Sequence, residues 1–235
     1  MDCPASRDRT RTAISRWGPT RVVFFRFQKA SCVVVGTFNI HILHPQWLAR
    51  RGLIQQGLEI GVETNLTRPG IRLRFPEHGA LWSISPDRLV IETDHAAFDC
   101  GQLAAHVLRI LPETPVFGLG NNLHCVSDPD EAGELPRVLR EFPEADGGSP
   151  PLETVQRTLH LAFSRGEHET INLQLAMKDE QIELLSNVHY GTGASDEPSV
   201  ATVAAAERFF ADCAESMRLA ERAFGVIIHH DSDNA

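Results

Sequence analysis

The chain lacks the paired cysteines that would make a covalent or metal framework. Its five cysteines, Cys3, Cys32, Cys100, Cys125 and Cys213, are odd in number, and none stands in a C-x-x-C pair. That pattern argues against a disulfide scaffold or a zinc site and reads as reduced thiols of a cytosolic protein, with Cys125 and Cys213 in the core. No apolar run reaches the ~18–20 residues of a membrane helix, so no membrane partner is expected. Positive charge is in deficit. The formal net charge of -9 argues against nucleic acid as a partner, because phosphates attract a positive surface. Nucleotide and nucleophile motifs are missing as well. Gly118-Leu119-Gly120-Asn121-Asn122 has neither the G-x-G-x-x-G pattern nor a Walker lysine. Ser83, Ser85 and Ser186 stand in no G-x-S-x-G context. No cofactor is implied.

What remains is ordinary for a globular protein: 235 residues, 42% hydrophobic and 23% charged. The most informative stretch is 154–192. Val155, Leu159, Leu161, Phe163, Ile171, Leu173, Leu175, Met177, Ile182, Leu184 and Val188 recur at every second position. Period-two alternation with polar reversals at 165–167 and 178–180 predicts three antiparallel strands with one buried face.

Taken in order, residues 1–20 read as a disordered arm bearing Arg7, Arg9, Arg11 and Arg16 without a signal-type apolar core. Strands are predicted at 22–27 and 31–39, a short helix from His44-Pro45, and a strand at 58–63. A meander follows at 71–75, 80–85 and 88–93, then an amphipathic helix over 100–111 ended by Pro112. Next come a strand at 115–126, a short helix at 132–142, a loop at 145–151 and the 154–192 meander. The longest helix is expected at 199–224, with Val203, Phe210, Cys213, Met217, Ala220 and Phe224 facing inward. Residues 229–235 read as a frayed tail.

The element order repeats: strand, short helix, three or four strands, longer helix. We therefore expect an α+β domain over 21–228. It would be one curved antiparallel sheet built from two pseudo-repeats, about 21–113 and 114–228, with the longer helices on one face. This order is similar to the duplicated saddle of the TATA-binding protein, a likeness of topology that carries no DNA binding to an acidic chain.

A second resemblance rests on named residues. Ala80-Leu81-Trp82 with Asp87-Arg88-Leu89 and Ile91, Thr114-Pro115-Val116 with Leu119-Gly120 and Asn121, then Asn187, His189 and Tyr190 before a long helix, resemble a family of uncharacterised, sporadically distributed bacterial α+β proteins. The likeness covers about half the chain. It implies a bacterial cytosolic origin, with some such genes near mobile or defence loci, and no established activity.

Of the eleven histidines, His124, His160 and His189 alternate with apolar neighbours and should point from the face away from the helices. Asn122, Gln174 and Asn187 should share it. Two readings stand. One is a non-catalytic binding or assembly face, built on Asn122, His160, Gln174, Asn187 and His189, that holds another protein or a second copy as a homodimer. The other is a small metal-assisted or acid–base enzyme that draws His124, His160 and His189 together. His41 and His44 have ligand-like spacing, but the Pro45 helix start accounts for His44. Asp99 reads as a helix cap rather than a partner of Asp94 and His95.

Overall fold

Alternating apolar residues generate strands whose hydrogen bonds must be completed by neighbours, and here ten strands complete them in one sheet. The computed structural model describes residues 21–64, 69–128, 130–132, 135, 139, 156–178, 181–192, 198–224 and 226–230. The arm at 1–20, the loop at 145–151 and most of the 132–142 helix lie outside these residues, as does the tail beyond His230.

The strands are β1 (Arg21–Gly36), β2 (Gly61–Thr64), β3 (Ile71–Phe75), β4 (Ala80–Ser85), β5 (Arg88–Thr93), β6 (Val116–Ser127), β7 (Gln156–Ser164), β8 (Glu169–Lys178), β9 (Gln181–Gly191) and β10 (Val226–His230). The helices are α1 (Pro45–Arg50), α2 (Cys100–Ile110), α3 (Pro198–Glu207) and α4 (Phe209–Phe224). The sheet runs β2-β3-β4-β5-β1-β6-β9-β8-β7. The pairs along this path are antiparallel, whereas β10 joins β1 in parallel.

The 154–192 meander forms as expected, with Leu161 paired to Leu173 and Leu175 to Leu184. Leu173 and Leu184 are buried on the helix side, and Ile171, Leu175, Ile182 and Val188 lie beside them. Leu161 is only partly buried, because β7 is the outermost strand and α4 packs over β6, β9 and β8. One core cluster runs from Val23 to Ile228, and Phe38, Leu43, Leu48 and Leu53 around α1 belong to it.

Four boundaries differ from the sequence expectation. The strands expected at 22–27 and 31–39 are one strand, β1. Its pairing with β6 slips between Phe27 and Lys29, and this bulge makes one long strand look like two short ones. The strand expected at 58–63 runs instead over Gly61–Thr64. The long C-terminal helix is two helices meeting at Arg208. Gly101 of α2 explains the close approach there: a Cβ on it would stand 2.1 Å from the Ala206 carbonyl oxygen. Phe209 turns into the core and Phe210, expected to face inward, is 44% exposed, whereas Met217, Ala220 and Phe224 are buried as expected. His229 and His230, expected in a frayed tail, belong to β10 and pair with Phe24 and Phe25.

The helices α2, α3 and α4 contact one another and pack on one side of the sheet. The opposite side carries the alternate residues of each strand, which are mostly half-buried or exposed. None of the described helices is long and apolar enough to cross a membrane.

Candidate functional site: the open sheet face and a buried carboxylate

Register fixes what the alternation left open. One row across the open face reads His160, Gln174, Leu185, His124, Lys29 from β7 to β1. The next reads Ala162, Asn172, Asn187, Asn122, Ser31, and the next Ser164, Thr170, His189, Gly120, Val33. All six residues singled out from the sequence therefore stand on this face.

The asparagines are joined across strands. Asn172 Nδ2 donates to Asn187 Oδ1 at 3.3 Å, and Asn187 Nδ2 donates to Asn122 Oδ1 at 2.7 Å. Asn122 Nδ2 reaches Ser31 Oγ at 3.2 Å and the Gly120 carbonyl at 3.2 Å. A cross-strand amide ladder of this kind aligns its members and leaves one side of each amide toward solvent. Gly120 makes room for it, since a Cβ there would lie 2.8 Å from Asn187 Nδ2. Asn172 belongs to the ladder although the sequence reading did not choose it; its place in the period-two pattern beside Gln174 was the available signal.

The histidines share the face without converging. His160 and His124 lie three strand spacings apart, roughly 14 Å. His189 sits four residues along β9 from the partner of His124, about 13 Å away. Among the described residues no three His, Cys, Asp or Glu side chains are grouped to hold a metal ion. His124 differs from the other two. Its side chain is 18% exposed, and both ring nitrogens are buried without a hydrogen-bond partner among the described residues. Burial lowers its pKa and Lys29 adds to this, while Glu183, 3.9 Å from Nε2, opposes them. The neutral imidazole thus borders a shallow trough floored by Leu185 and edged by the amides.

The two halves of the open face differ in charge. From β6 to β7 its middle is amide, imidazole, hydroxyl and Leu185, and Lys29, Lys178 and Glu183 stand at the margins. From β5 to β2 it carries Arg88, Glu92, Arg74, Arg72 and Glu63, with Glu63 paired to both Arg72 and Arg74.

His41 and His44 do not form a pair of ligands. His44 caps α1, its ring accepting from the Trp47 N–H at 3.3 Å, and Asp99 caps α2 by accepting from the Gln102 N–H at 2.8 Å. The described cysteines, Cys32, Cys100, Cys125 and Cys213, are free.

A second constellation lies under the helices and was missed in the sequence. Asp212, in the first turn of α4, has no exposed side-chain surface. Tyr190 Oη lies 2.7 and 2.9 Å from its two carboxylate oxygens, and Asn121 Nδ2 donates at 2.8 Å. Asn121 also donates to the Ala205 carbonyl at 3.2 Å, at the end of α3. Arg165, from the β7–β8 turn, donates to Tyr190 Oη at 2.6 Å and Asp212 at 3.3 Å, and it pairs with Glu169 and Glu215. Burial and the neighbouring Asp212 push the Tyr190 pKa up. For Arg165 burial works against the charge, yet Glu169, Tyr190, Asp212 and Glu215 outweigh it and the pKa rises. Arg208 adds a second cation, 3.6 Å from Asp212 and 4.0 Å from Glu215, and the Asp212 carboxylate is closed to solvent. The arrangement pins both C-terminal helices and one turn to the sheet; it presents no free acid or nucleophile. The signal was faint, because Asp212 looks like any polar residue of an amphipathic helix until its phase is known.

No protein family matches the chain, and no curated protein matches it either.

Proposed function

We propose that this chain is a non-catalytic binding and assembly protein of the bacterial cytosol, and that it acts through its open sheet face as a homodimer. The observation that carries the reading is the uncharged middle of the β6-β9-β8-β7 face, bounded by charge at its margins. Depletion of charge at the centre of a patch is what distinguishes an interface from a plainly solvated sheet. The size is suitable. Counting β1, whose Lys29, Ser31 and Val33 complete the rows, five strands at about 4.8 Å and about nine residues at 3.4 Å span roughly 24 by 30 Å, on the order of the ~800 Å² per partner of an ordinary interface. A two-fold axis would set one amide ladder against another, so that donors and acceptors meet in pairs.

The strand order supports the pseudo-repeat reading in the same sense. On each side of the central β1-β6 pair a meander starts at the sheet edge and runs inward, its last strand, β5 or β9, closing on β1 or β6. Such a plan makes a broad sheet with one face for helices and one for a partner. Free thiols at all four described cysteines accord with a cytosolic setting. The metal-assisted alternative has no comparable support, since His160 stands three strand spacings from His124 and His189 four residues along the neighbouring strand from it.

Sedimentation velocity over a concentration series tests this reading. A reversible dimer is expected at pH 8. In the His160→Glu, Gln174→Lys double variant, charge buried at the interface should weaken the dimer by more than tenfold. A monomer throughout the series, or a dimer indifferent to both substitutions, refutes the assignment.

A further inference from the structure

On the helix side, opposite the open face, the described residues leave a gap in their packing. A cavity of about 240 Å³ lies between α4 and the β1-β6 floor. The β1 bulge sets its shape. Phe27 and Ala30 both face inward across the extra residue, so the floor is wider here than regular alternation would leave it. Cys125 floors the cavity, Cys213 and Met217 roof it, and Ala96 and Ala214 stand at the rim beside the ring of Phe210. Ala96 and Ala214 are exposed and Phe210 is 44% exposed, so the cavity opens to solvent on that side. Its lining has no charged side chain.

From this we infer that the cavity is a binding site for a small, neutral, apolar molecule, an aromatic ring system or a short aliphatic chain. Three observations converge on that occupant. The volume is the first. Apolar cavities of about 150 Å³ take up benzene-sized molecules, so 240 Å³ admits one or two fused rings and is far too small for a helix or a strand. The lining is the second: with no charge to neutralise an ion, a charged ligand would lose its hydration uncompensated. The third is the use of alanine and cysteine where a longer side chain would close the gap. Leaving such a space empty costs packing contacts, and here small residues from three separate segments, around Ala30, Ala96 and Ala214, keep it open. The thiols do not make the site reactive. Burial pushes the Cys125 and Cys213 thiols up to about 12, so both stay protonated at neutral pH and binding is non-covalent.

Titration of the full chain with N-phenyl-1-naphthylamine, a neutral probe that fluoresces in apolar surroundings and whose two fused rings fit the cavity while its phenyl group extends past the open rim, tests the inference. Saturable enhancement at one probe per chain is expected. Its sulfonated analogue 1-anilinonaphthalene-8-sulfonate should bind at least tenfold more weakly. Ala214→Trp, which fills the space from the rim, should weaken the neutral probe by more than tenfold while the folded state keeps its melting temperature. Should that variant fail to fold, Ala96→Leu, on the loop before α2, provides the same test. No saturable binding to the wild type overturns the proposal. So does equal binding of the anionic probe, or full binding to a folded, filled variant. Because the cavity and the open face lie on opposite sides of the sheet, the dimer reading stands or falls independently of these results.

Discussion

At the residue scale the strongest commitment in the molecule is the burial of Asp212. A carboxylate without solvent is tolerable only when donors surround it, and this one has the Tyr190 hydroxyl, the Asn121 amide and the Arg165 guanidinium. It also sits in the first turn of α4, where the helix dipole favours negative charge. Tyr190 is the only tyrosine in the chain. Tyr190→Phe removes the shortest donor to the carboxylate with little change of shape. Urea denaturation should show a loss of about 1–3 kcal/mol, the usual cost of leaving a buried polar group short of a partner. An unchanged midpoint would mean that Asn121, Arg165 and Arg208 satisfy Asp212 without it. None of this was legible in the sequence. Tyr190 and Asn121 stand at inward strand positions, but nothing local tells which helix residue meets them across 22 and 91 residues of chain.

At the scale of elements, the strands were read more accurately than the helices. Period two is a strong signal, and it placed β3, β4, β5, β8 and β9 within a residue or two of their observed bounds. Two devices defeated it elsewhere, the bulge that divides the pattern of β1 and the helix junction at Arg208. Neither has a local signature, since one depends on the partner strand and the other on the crossing of α2. Position in the sheet also grades burial. Leu173 of β8 has no exposed surface, whereas its neighbour Leu161 on the edge strand is partly exposed. Leu173→Ala should therefore cost about 2–5 kcal/mol, and Leu161→Ala less than half as much, both measured from urea midpoints. Equal losses would show that β7 is as well covered as β8.

At the scale of the whole molecule, three buried thiols, the half-buried thiol of Cys213 and Tyr190 give folding stability a common pH dependence. Cys32 and Cys100 are raised by burial, Cys125 and Cys213 are pushed up to about 12, and Tyr190 is raised as well. Unfolded thiols ionise near pH 8.5 and unfolded tyrosine near pH 10. The unfolded chain then binds fewer protons than the folded one, so stability is full below about pH 8 and falls as pH rises toward the folded values. The melting temperature should drop steadily from pH 8 to pH 10.5, and Cys125→Ala should make the fall shallower by removing one proton from the difference. A flat profile over that interval contradicts the burial of these groups. By itself the sequence determined the α+β class, the strands of both meanders, the caps at His44 and Asp99, and the sharing of one face by His124, His160, His189, Asn122, Gln174 and Asn187. Those features depend on neighbours a few residues away, and local periodicity and capping chemistry record them. Only the tertiary structure decided that the histidines stay apart while the asparagines link, that Asp212 is buried, and that a cavity remains beneath α4. Each of these depends on register between strands or on the phase of a helix against the sheet, and both are set by packing among residues distant in the chain.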